Sequence, residues 1–399
     1  MLTRSDSEPQ MTAATQEMIP LSVPEIRGNE WTYLKECLDT NFVSSVGQFV
    51  DRFEGMLADY IGTPFAVAAT SGTAALHTAL IVAGIQAGDE VLVSTLTFIA
   101  PANAIRYVGA VPVFIDAEPE YWQMDTERVR EYLAGECVWQ DGSLRNRQTG
   151  RRVRAILPVH ILGHPCDMDP ILELARQYNL IVIEDATESL GAKYKGNFTG
   201  TLGDIACFSF NGNKIITTGG GGMLVTSNPE WARRARYLTT QAKDDTVEFI
   251  HGEVGYNYRL TNIQAALGCA QMEQLDGYIE KKKTIAHSYN RALENIPGLT
   301  PMREASWATS IFWMYTILVD EMQYGVGSRA LLRQLEANSI QARPLWQPMH
   351  HSPVFCDLEL HVCPQADRLN RMAISLPCSV GLTEAQMERV IRLLGDSKG

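Results

Sequence analysis

Short apolar runs alternate with helical patterns over the first two thirds of the chain. The runs FAVAA, EVLVS, VPVFID, VRAILPVH, IVIEDA, IACFSF and MLVTS have the length of strands. Stretches with helical spacing, such as GTAALHTALIVAG and DMDPILELARQYN, lie between them. This alternation is typical of βαβ units. It predicts an α/β fold whose large domain holds a mostly parallel, mixed sheet flanked by helices.

The pattern changes after the last of these runs. The stretch NIQAALGCAQMEQLDGYIEKKKTIAHSYNRALENI predicts one long helix or two, and FWMYTILVD and SRALLRQLEAN then predict a strand and a helix around the proline-rich loop RPLWQPMHHSP. We therefore predict a disordered polar tail over residues 1–18 and a large domain over residues 19–265. Residues 266–399 are predicted to form a linking helix and a smaller C-terminal α+β domain.

An insertion interrupts the alternation at about residues 134–152. Turn signals at Asp141-Gly142 and Thr149-Gly150 predict a hairpin there. The insertion carries four arginines: Arg145, Arg147, Arg151 and Arg152. A solvated hairpin and a diphosphate clamp are both open roles, and the solvated hairpin is favoured because no pattern directs these arginines into a pocket.

Charge and composition narrow the classes of partner and compartment. The 399 residues include 34 Lys and Arg against 46 Asp and Glu, a formal net charge of -12. This acidic balance disfavours nucleic acid and anionic membranes as partners. The eight cysteines contain no C-x-x-C pair, and no run reaches the ~18 apolar residues of a membrane span. We expect reduced thiols and a cytoplasmic protein with no membrane contact.

Ser71-Gly72-Thr73 stands between the strand FAVAA and a helix expected to begin at Ala74. Free backbone N–H groups and the positive end of the helix dipole suit a phosphate at such a position. Taken alone, the motif is more often an ordinary helix N-cap by Ser71 or Thr73.

Two further positions carry possible chemistry. Asp185 ends the strand IVIED at the carboxyl edge where open α/β sheets bind ligands, and its carboxylate could pair with a protonated heterocycle nitrogen. Lys214 precedes four consecutive glycines, a setting in which a shielded amine can act as a nucleophile. Ser209 could offer a phosphate its hydroxyl. Alone, Asp185 is more often a helix cap and Lys214 a solvated lysine.

Other chemistries are disfavoured. The run TGGGGM lacks the spacing of dinucleotide and P-loop motifs, which argues against a Rossmann dehydrogenase or a P-loop kinase. His160 and His164 are four residues apart but follow a strand beside Gly163 and Pro165, so they do not share a helix face. We predict no metal site.

Taken together, the SGT helix start, the strand-end EDA and the lysine of FSFNGNKIITTGGGG resemble the fold-type-I pyridoxal-phosphate enzymes. The segments IPLSVPEIRGNE, FVSSVGQFVDRFE, TFIAPANAI, GYNYRLTNIQAALG and FWMYT narrow the resemblance to the DegT/DnrJ/EryC1/StrS sugar aminotransferases. Within that family, the hairpin insertion, TTQAKDD and IHGEVGYNYRLTN look most like the subgroup serving legionaminic acid and bacillosamine-type sugars. The perosamine synthases come next.

The resemblance implies a cofactor, pyridoxal 5'-phosphate, and residues that bind it. It implies that Lys214 binds the cofactor covalently and later moves a proton, and that Asp185 keeps the pyridine nitrogen protonated. The resemblance also implies that Glu188 lies near the ring oxygen of the cofactor. The remaining cofactor residues implied are Phe98, stacked on the ring, and Gly72, Thr73 and Ser209 on the phosphate.

Three more residues carry implied roles. Asn257 of GYNYR would reach the phosphate from the partner subunit of a homodimer with shared active sites. Arg259 and Tyr315 are substrate-side candidates, and a structural salt bridge and a core tyrosine are equally open for them. Without the resemblance, Phe98 would be interpreted as a core aromatic residue and Asn257 as a turn cap.

The implied reaction is transfer of an amino group from L-glutamate to a nucleotide-linked 4-keto-6-deoxyhexose, of the UDP-2-acetamido-4-keto type. A perosamine-synthase-like aminotransferase acting on a GDP-linked sugar is the alternative. A sugar dehydratase of the same fold is also an alternative, but such enzymes have histidine where this chain has Lys214. A non-catalytic regulatory protein is disfavoured because it would need neither the lysine nor the phosphate cradle.

Overall fold

The computed structural model describes residues 17–245, 247–358 and 362–396. Most of the predicted tail over residues 1–18 therefore lies outside the described residues. The α-helices are α1 (Glu30–Asp39), α2 (Gln48–Ile61), α3 (Gly72–Val82), α4 (Ala100–Tyr107), α5 (Thr126–Glu131), α6 (Met168–Tyr178), α7 (Pro229–Thr239), α8 (Asn262–Met272), α9 (Leu275–Leu293), α10 (Glu321–Tyr324), α11 (Ser328–Ala337), α12 (Pro364–Met372) and α13 (Glu384–Asp396). None of the described helices has the length and apolar character that crossing a membrane requires.

The strands are β1 (Phe65–Ala69), β2 (Glu90–Ser94), β3 (Val111–Ile115), β4 (Cys137–Gln140), β5 (Ser143–Asn146), β6 (Val153–Leu157), β7 (Ile181–Asp185), β8 (Lys193–Tyr194), β9 (Asn197–Phe198), β10 (Ile205–Ser209), β11 (Gly222–Thr226), β12 (Leu299–Pro301), β13 (Ala308–Thr309), β14 (Tyr315–Val319), β15 (Arg343–Pro344) and β16 (Ala373–Leu376). A π-helical turn lies at Tyr132–Glu136, and 3-10 turns lie at Ile161–Gly163, Met349–His351 and Pro353–Phe355.

Seven strands form the central sheet in the order β1-β11-β10-β7-β6-β2-β3. Every neighbouring pair is parallel except the two pairs that include β11. All residues of β2 and β11 are buried, as expected for strands covered by helices on both faces. The sheet confirms the predicted α/β class with a mostly parallel, mixed sheet.

A second, antiparallel sheet has the order β12-β14-β16-β15 and packs with α11 and α12. The long helical stretch before it forms two helices, α8 and α9, which confirms the second of the two predicted alternatives. The predicted boundary between residues 265 and 266 falls inside α8, and α8 packs on α1 and α2.

The arginine-rich insertion forms the hairpin β4–β5, as its turn signals predict. Arg145 and Arg147 donate to backbone carbonyls of the same segment, at Gly150 and Gly135. Arg152 forms a two-pronged ion pair with the buried Asp89 at 2.8 and 2.6 Å. The Arg152 pair fastens the insertion to the large domain, and the contacts of all three arginines leave the diphosphate-clamp alternative without support.

The direction of the strands determines at which edge of the sheet the site lies. Because β1, β7 and β10 run parallel to one another, their carboxyl ends meet at the same edge of the sheet. Open α/β sheets bind ligands at this edge. The loops that follow these three strands carry most of the residues singled out from the sequence.

Candidate active site

A cavity of about 400 Å³ opens at the carboxyl edge of the sheet. Seven of the eight residues predicted to bind the cofactor line it: Gly72, Thr73, Phe98, Asp185, Glu188, Ser209 and Lys214. The cavity walls also include residues without a predicted role, among them Thr97, Thr187, Asn213, Trp313 and Trp346.

The first turn of α3 forms one end of the cavity. Ser71 is its N-cap, with Oγ accepting from the Ala74 N–H at 3.0 Å, so the helix begins at Gly72 and not at Ala74 as predicted. The first N–H groups of a helix have no partner within the helix. Those of Gly72 and Thr73 lie at the cavity, where an anion would meet both the donors and the helix dipole.

Gly72 also marks a close approach of three segments. A Cβ atom on it would lie 2.9 Å from Ser209 Cβ and 3.2 Å from Thr187 Cγ2. On the other side, a Cβ on Gly222 would lie 2.4 Å from the Ser71 carbonyl carbon. The absence of side chains at these two glycines therefore lets the first turn of α3 lie beside the Ser209 hydroxyl, an arrangement that fits a phosphate.

Asp185 is the last residue of β7 and is 2% exposed. Its Oδ1 accepts from the Thr187 N–H at 3.1 Å. Its backbone is fixed on both sides, since its N–H donates to the Pro158 carbonyl and its carbonyl accepts from the His160 N–H. Burial raises the pKa of Asp185, and the hydrogen bonds from Thr187 and the charge of Lys214 oppose that rise. A cationic partner in the cavity would also oppose this rise in pKa.

Glu184 lies on the opposite face of the strand, away from the cavity. Its Oε1 accepts from the N–H groups of Leu202 and Gly203, and its Oε2 accepts from Gly200. His160 Nε2 lies 2.9 Å from Oε2. Burial alone raises the pKa of Glu184, but the hydrogen bonds from His160 and the backbone lower it below its ordinary value.

The His160 ring accepts the Cys166 N–H at Nδ1, so its proton lies on Nε2 and is donated to Glu184. His164 points elsewhere, with Nδ1 on the Pro165 carbonyl and Nε2 accepting from the Ala305 N–H. The two histidines therefore have separate hydrogen-bond partners.

Lys214 reaches the cavity from the loop after β10, and its side chain is 12% exposed. Its Nζ lies 3.5 Å from Glu188 Oε1 and 4.1 Å from the centroid of the Trp313 ring. Glu188 is held in turn by the Leu162 N–H, which donates to Oε2 at 2.9 Å. Burial raises the pKa of Glu188, and the charge of Lys214 opposes the rise. A carboxylate and an aromatic ring therefore flank the amine.

Phe98 lies in the loop after β2 and is 57% exposed, so it is not a core aromatic residue. Its ring lines the cavity, where it is free to stack on a ligand. Ser209 ends β10 opposite Gly222, and its Oγ lies 3.4 Å from the Asn211 N–H.

The structure does not bring three predicted residues into the cavity of this chain. Arg259 pairs with Glu54 at 2.7 Å and Asp51 at 3.5 Å, which is the structural salt bridge left open above. Tyr315 is fully buried in β14 and donates to Asn290, which makes it a core tyrosine. Neither residue lines the cavity of this chain. Asn257 is exposed and makes a backbone bridge to Thr240.

Sequence reasoning missed Trp313 and Trp346, which form an aromatic wall of the cavity. Their rings are nearly parallel, 10° apart, with centroids separated by 6.5 Å. Trp313 Nε1 donates to the Asn213 carbonyl, which fixes the ring next to Lys214. Both lie in segments noted in the sequence analysis, FWMYT and the loop RPLWQPMHHSP. No rule of spacing, however, predicts that a tryptophan lines a cavity whose other residues are 100 positions away in sequence.

An amine, a buried carboxylate, an exposed aromatic ring and a phosphate cradle thus meet in one cavity at the carboxyl edge of a mostly parallel sheet. These groups fit pyridoxal 5'-phosphate, which needs an anion site, a partner for its ring nitrogen, a ring face and a lysine. Fold and site together define a fold-type-I pyridoxal-phosphate-dependent enzyme.

The chain belongs to the DegT/DnrJ/EryC1/StrS aminotransferase family, whose model matches residues 24–395. It is 41% identical to the GDP-perosamine synthase of Caulobacter vibrioides, over 94% of this chain and 97% of that protein. It is 39% identical to the GDP-perosamine synthase of Escherichia coli O157:H7, over 92% and 95% of the two chains. The structure matches the aminotransferase TlmJ from Streptoalloteichus hindustanus with a TM-score of 0.85, 26% identity and coverage of 94% and 98%.

The protein is accordingly an aminotransferase that uses pyridoxal 5'-phosphate. The family assignment made from the sequence is confirmed. Both of these relatives carry the name given above as the alternative, GDP-perosamine synthase.

Proposed function

We propose that this enzyme transfers the amino group of L-glutamate to the keto carbon of a nucleotide-linked 4-keto-6-deoxyhexose. The observation that carries the proposal is the placement of Lys214 and Asp185 in one cavity with the cradle of α3. The sugar class rests on the family and on its relatives. The keto oxygen is replaced by an amino group and a hydrogen, while glutamate becomes 2-oxoglutarate.

The proposed nucleotide is guanosine diphosphate. Two relatives that match almost the whole chain, at 41% and 39% identity, are named GDP-perosamine synthases. A UDP-linked 2-acetamido-4-keto sugar is the second candidate, favoured by the segments TTQAKDD and IHGEVGYNYRLTN. The hairpin supports neither, because three of its arginines are bound to its own backbone or to Asp89.

When bound, pyridoxal 5'-phosphate supplies an electron-accepting ring that stabilises negative charge at the substrate carbon. The N–H groups of Gly72 and Thr73 and the Ser209 hydroxyl would hold its phosphate. Asp185 would keep a positive charge on the ring nitrogen, because a buried carboxylate strongly favours a cationic partner over an empty site.

The Lys214 amine would move the proton at the substrate carbon during the transfer. Its Nζ is the amine nearest Asp185 and Glu188 in the cavity, and the low exposure of its side chain limits competition from water. Glu188 and Trp313 lie on either side of Nζ and hold the amine inside the cavity. Phe98 would cover the ring face.

We also propose a homodimer whose sites are shared. Asn257 lies outside its own chain's cavity lining and is exposed, so its amide is available to the phosphate cradle of a second subunit. The bridge between Asn257 and Thr240 fixes the backbone at that point.

A two-stage assay tests the reaction. Glutamate alone should release one 2-oxoglutarate per site, and a panel of GDP-, UDP- and dTDP-linked 4-keto sugars should then yield an amino sugar, detected by mass spectrometry. We expect the GDP-linked 4-keto-6-deoxyhexose to be the best acceptor. A sugar that loses a hydroxyl without gaining nitrogen would establish the dehydratase alternative, and preference for the UDP-linked 2-acetamido sugar would establish the second candidate.

A further inference from the structure

Two histidines and an aspartate converge outside the cavity. His350 and His351 end the 3-10 turn Met349–His351, and Asp367 lies in the first turn of α12. The Nε2 atoms of His350 and His351 lie 3.2 and 2.7 Å from the same oxygen, Asp367 Oδ1. One ligand atom from each of the three residues lies within 4.8 Å of the other two.

The surrounding residues hold this cluster in place. His350 is 8% exposed, and its other ring nitrogen, Nδ1, lies 2.7 Å from the hydroxyl of the fully buried Thr95. Histidines that bind a metal through Nε2 usually donate the Nδ1 proton to an oxygen acceptor, which fixes the ring. Thr95 supplies that acceptor. Asp116 fixes the carboxylate's helix by accepting the N–H groups of Gln365 and Ala366.

From this geometry we infer that His350, His351 and Asp367 bind one divalent transition-metal cation of the zinc class. Two imidazole nitrogens and one carboxylate oxygen suit Zn²⁺, Co²⁺ or Ni²⁺, whereas Mg²⁺ and Ca²⁺ prefer all-oxygen sites. The side chains of His351 and Asp367 are 52% and 39% exposed, so a cation can enter from solvent. Binding would replace the two hydrogen bonds to Oδ1 by metal–ligand bonds, and each neutral imidazole would then carry its single proton on Nδ1, where that of His350 faces the Thr95 hydroxyl.

The proposed metal site is connected to the cavity through two segments of the chain. Thr95 follows β2 and lies two residues before Thr97, a cavity residue, and the Met349 N–H donates to the Thr95 carbonyl at 2.8 Å. Trp346, also in the cavity wall, lies four residues before His350. A bound cation would therefore fasten the segment that carries Trp346 to α12, and the contacts of Thr95 with Met349 and His350 connect this segment to the loop that carries Thr97.

Equilibrium dialysis of the cofactor-loaded, tag-free enzyme against ZnCl₂ tests the inference. We expect one Zn²⁺ per chain, and a drop in affinity of at least about tenfold in His351→Gln and Asp367→Asn. His287→Gln is the matched control, because His287 is exposed on α9 and lies outside the cluster. Cys356→Ser is the second control, because Cys356 is an exposed free thiol five residues after His351.

The controls should bind zinc as the wild-type enzyme does. Zinc binding that disappears in Cys356→Ser, or that is equal in wild type, His351→Gln and Asp367→Asn, would overturn the inference. So would the absence of zinc binding to the wild-type enzyme. Circular dichroism of each variant verifies that it is folded, and His351→Gln changes a half-exposed side chain, so loss of folding is not expected.

Discussion

Glu184 and Asp185 are neighbours on β7 with different roles, because successive side chains of a strand point to opposite faces. Glu184 accepts three backbone N–H groups and the proton of His160, and this set of bonds anchors the turn at Gly200–Gly203. Asp185 faces the cavity with a single backbone N–H donor from Thr187. The carboxylate with fewer internal partners is the one available to a ligand.

Replacing Asp185 by Asn tests this assignment. The amide keeps the shape but cannot stabilise a positive charge on the ring nitrogen, so we expect a folded protein whose transamination rate falls on the order of a thousandfold, about 4 kcal/mol of barrier. Single-turnover assays with glutamate measure the loss. A turnover close to that of the wild type would remove Asp185 from the mechanism.

His164 makes the stability of the fold depend on pH. It is fully buried, and its Nε2 accepts from Ala305, so protonation would break that bond. Burial lowers the pKa of His164 from 6.5 to about 4. Because the folded value lies below the unfolded one, the unfolded chain takes up the proton first, and stability is lost as pH falls from about 6.5 toward 4.

We expect this residue to account for about 2 kcal/mol of the unfolding free energy lost between pH 7 and pH 5. Urea unfolding of His164→Gln should show a lower stability at pH 7 and a flatter pH dependence than the wild type. His287→Gln, at an exposed position, should retain the wild-type slope. Equal slopes for His164→Gln and the wild type would contradict this account.

At the scale of elements, the first turn of α3 determines how closely a phosphate can approach. Gly72→Ala would place a methyl group 2.9 Å from Ser209 Cβ, so the cradle must widen. We expect cofactor affinity to fall at least about tenfold, or 1.4 kcal/mol. Gly55→Ala is the control, since Gly55 lies within α2 with open space around its Cβ position. Titration of cofactor into stripped enzyme measures both, and equal affinities would show that Gly72 is not part of the cradle.

The elements themselves could be predicted largely from local pattern. FAVAA, EVLVS and IVIED coincide with β1, β2 and β7. For β2 and β7 the reason is that buried parallel strands have continuous apolar runs. The turn signal at Asp141-Gly142 predicted the hairpin β4–β5, which the structure contains. The start of α3 was predicted at Ala74, two residues late, and of the two N-caps considered, Ser71 and Thr73, it is Ser71 that caps the helix.

The cavity wall was less predictable than the elements. Lys214 and Asp185 stand beside strand ends, where position along the chain indicates position in the sheet. Trp346 reaches the cavity through the packing of a proline-rich loop, which no periodicity encodes. For Arg259 and Tyr315 the sequence left substrate-side and structural roles equally open, because their structural partners Glu54 and Asn290 are more than 20 residues away in sequence.

At the scale of the whole molecule, the shared-site homodimer makes a prediction that subunit exchange can test. Lys214→Ala and Asn257→Ala should each be inactive, with a larger substitution at Asn257 if alanine leaves activity. A mixed dimer has one site with both lesions and one with neither, so its activity should return toward half that of the wild type. Exchange verified by native mass spectrometry without recovered activity would show that Asn257 acts within its own chain.

The most direct test of the central claim is to identify the lysine that holds the cofactor. The purified enzyme should be yellow, and borohydride should fix the cofactor onto Lys214, as shown by peptide mapping. Lys214→Arg should fold and take up no such label. A label on another lysine, such as the buried Lys282 that donates to the Trp313 carbonyl, would contradict the assignment of the site, as would an unlabelled Lys214 with cofactor present.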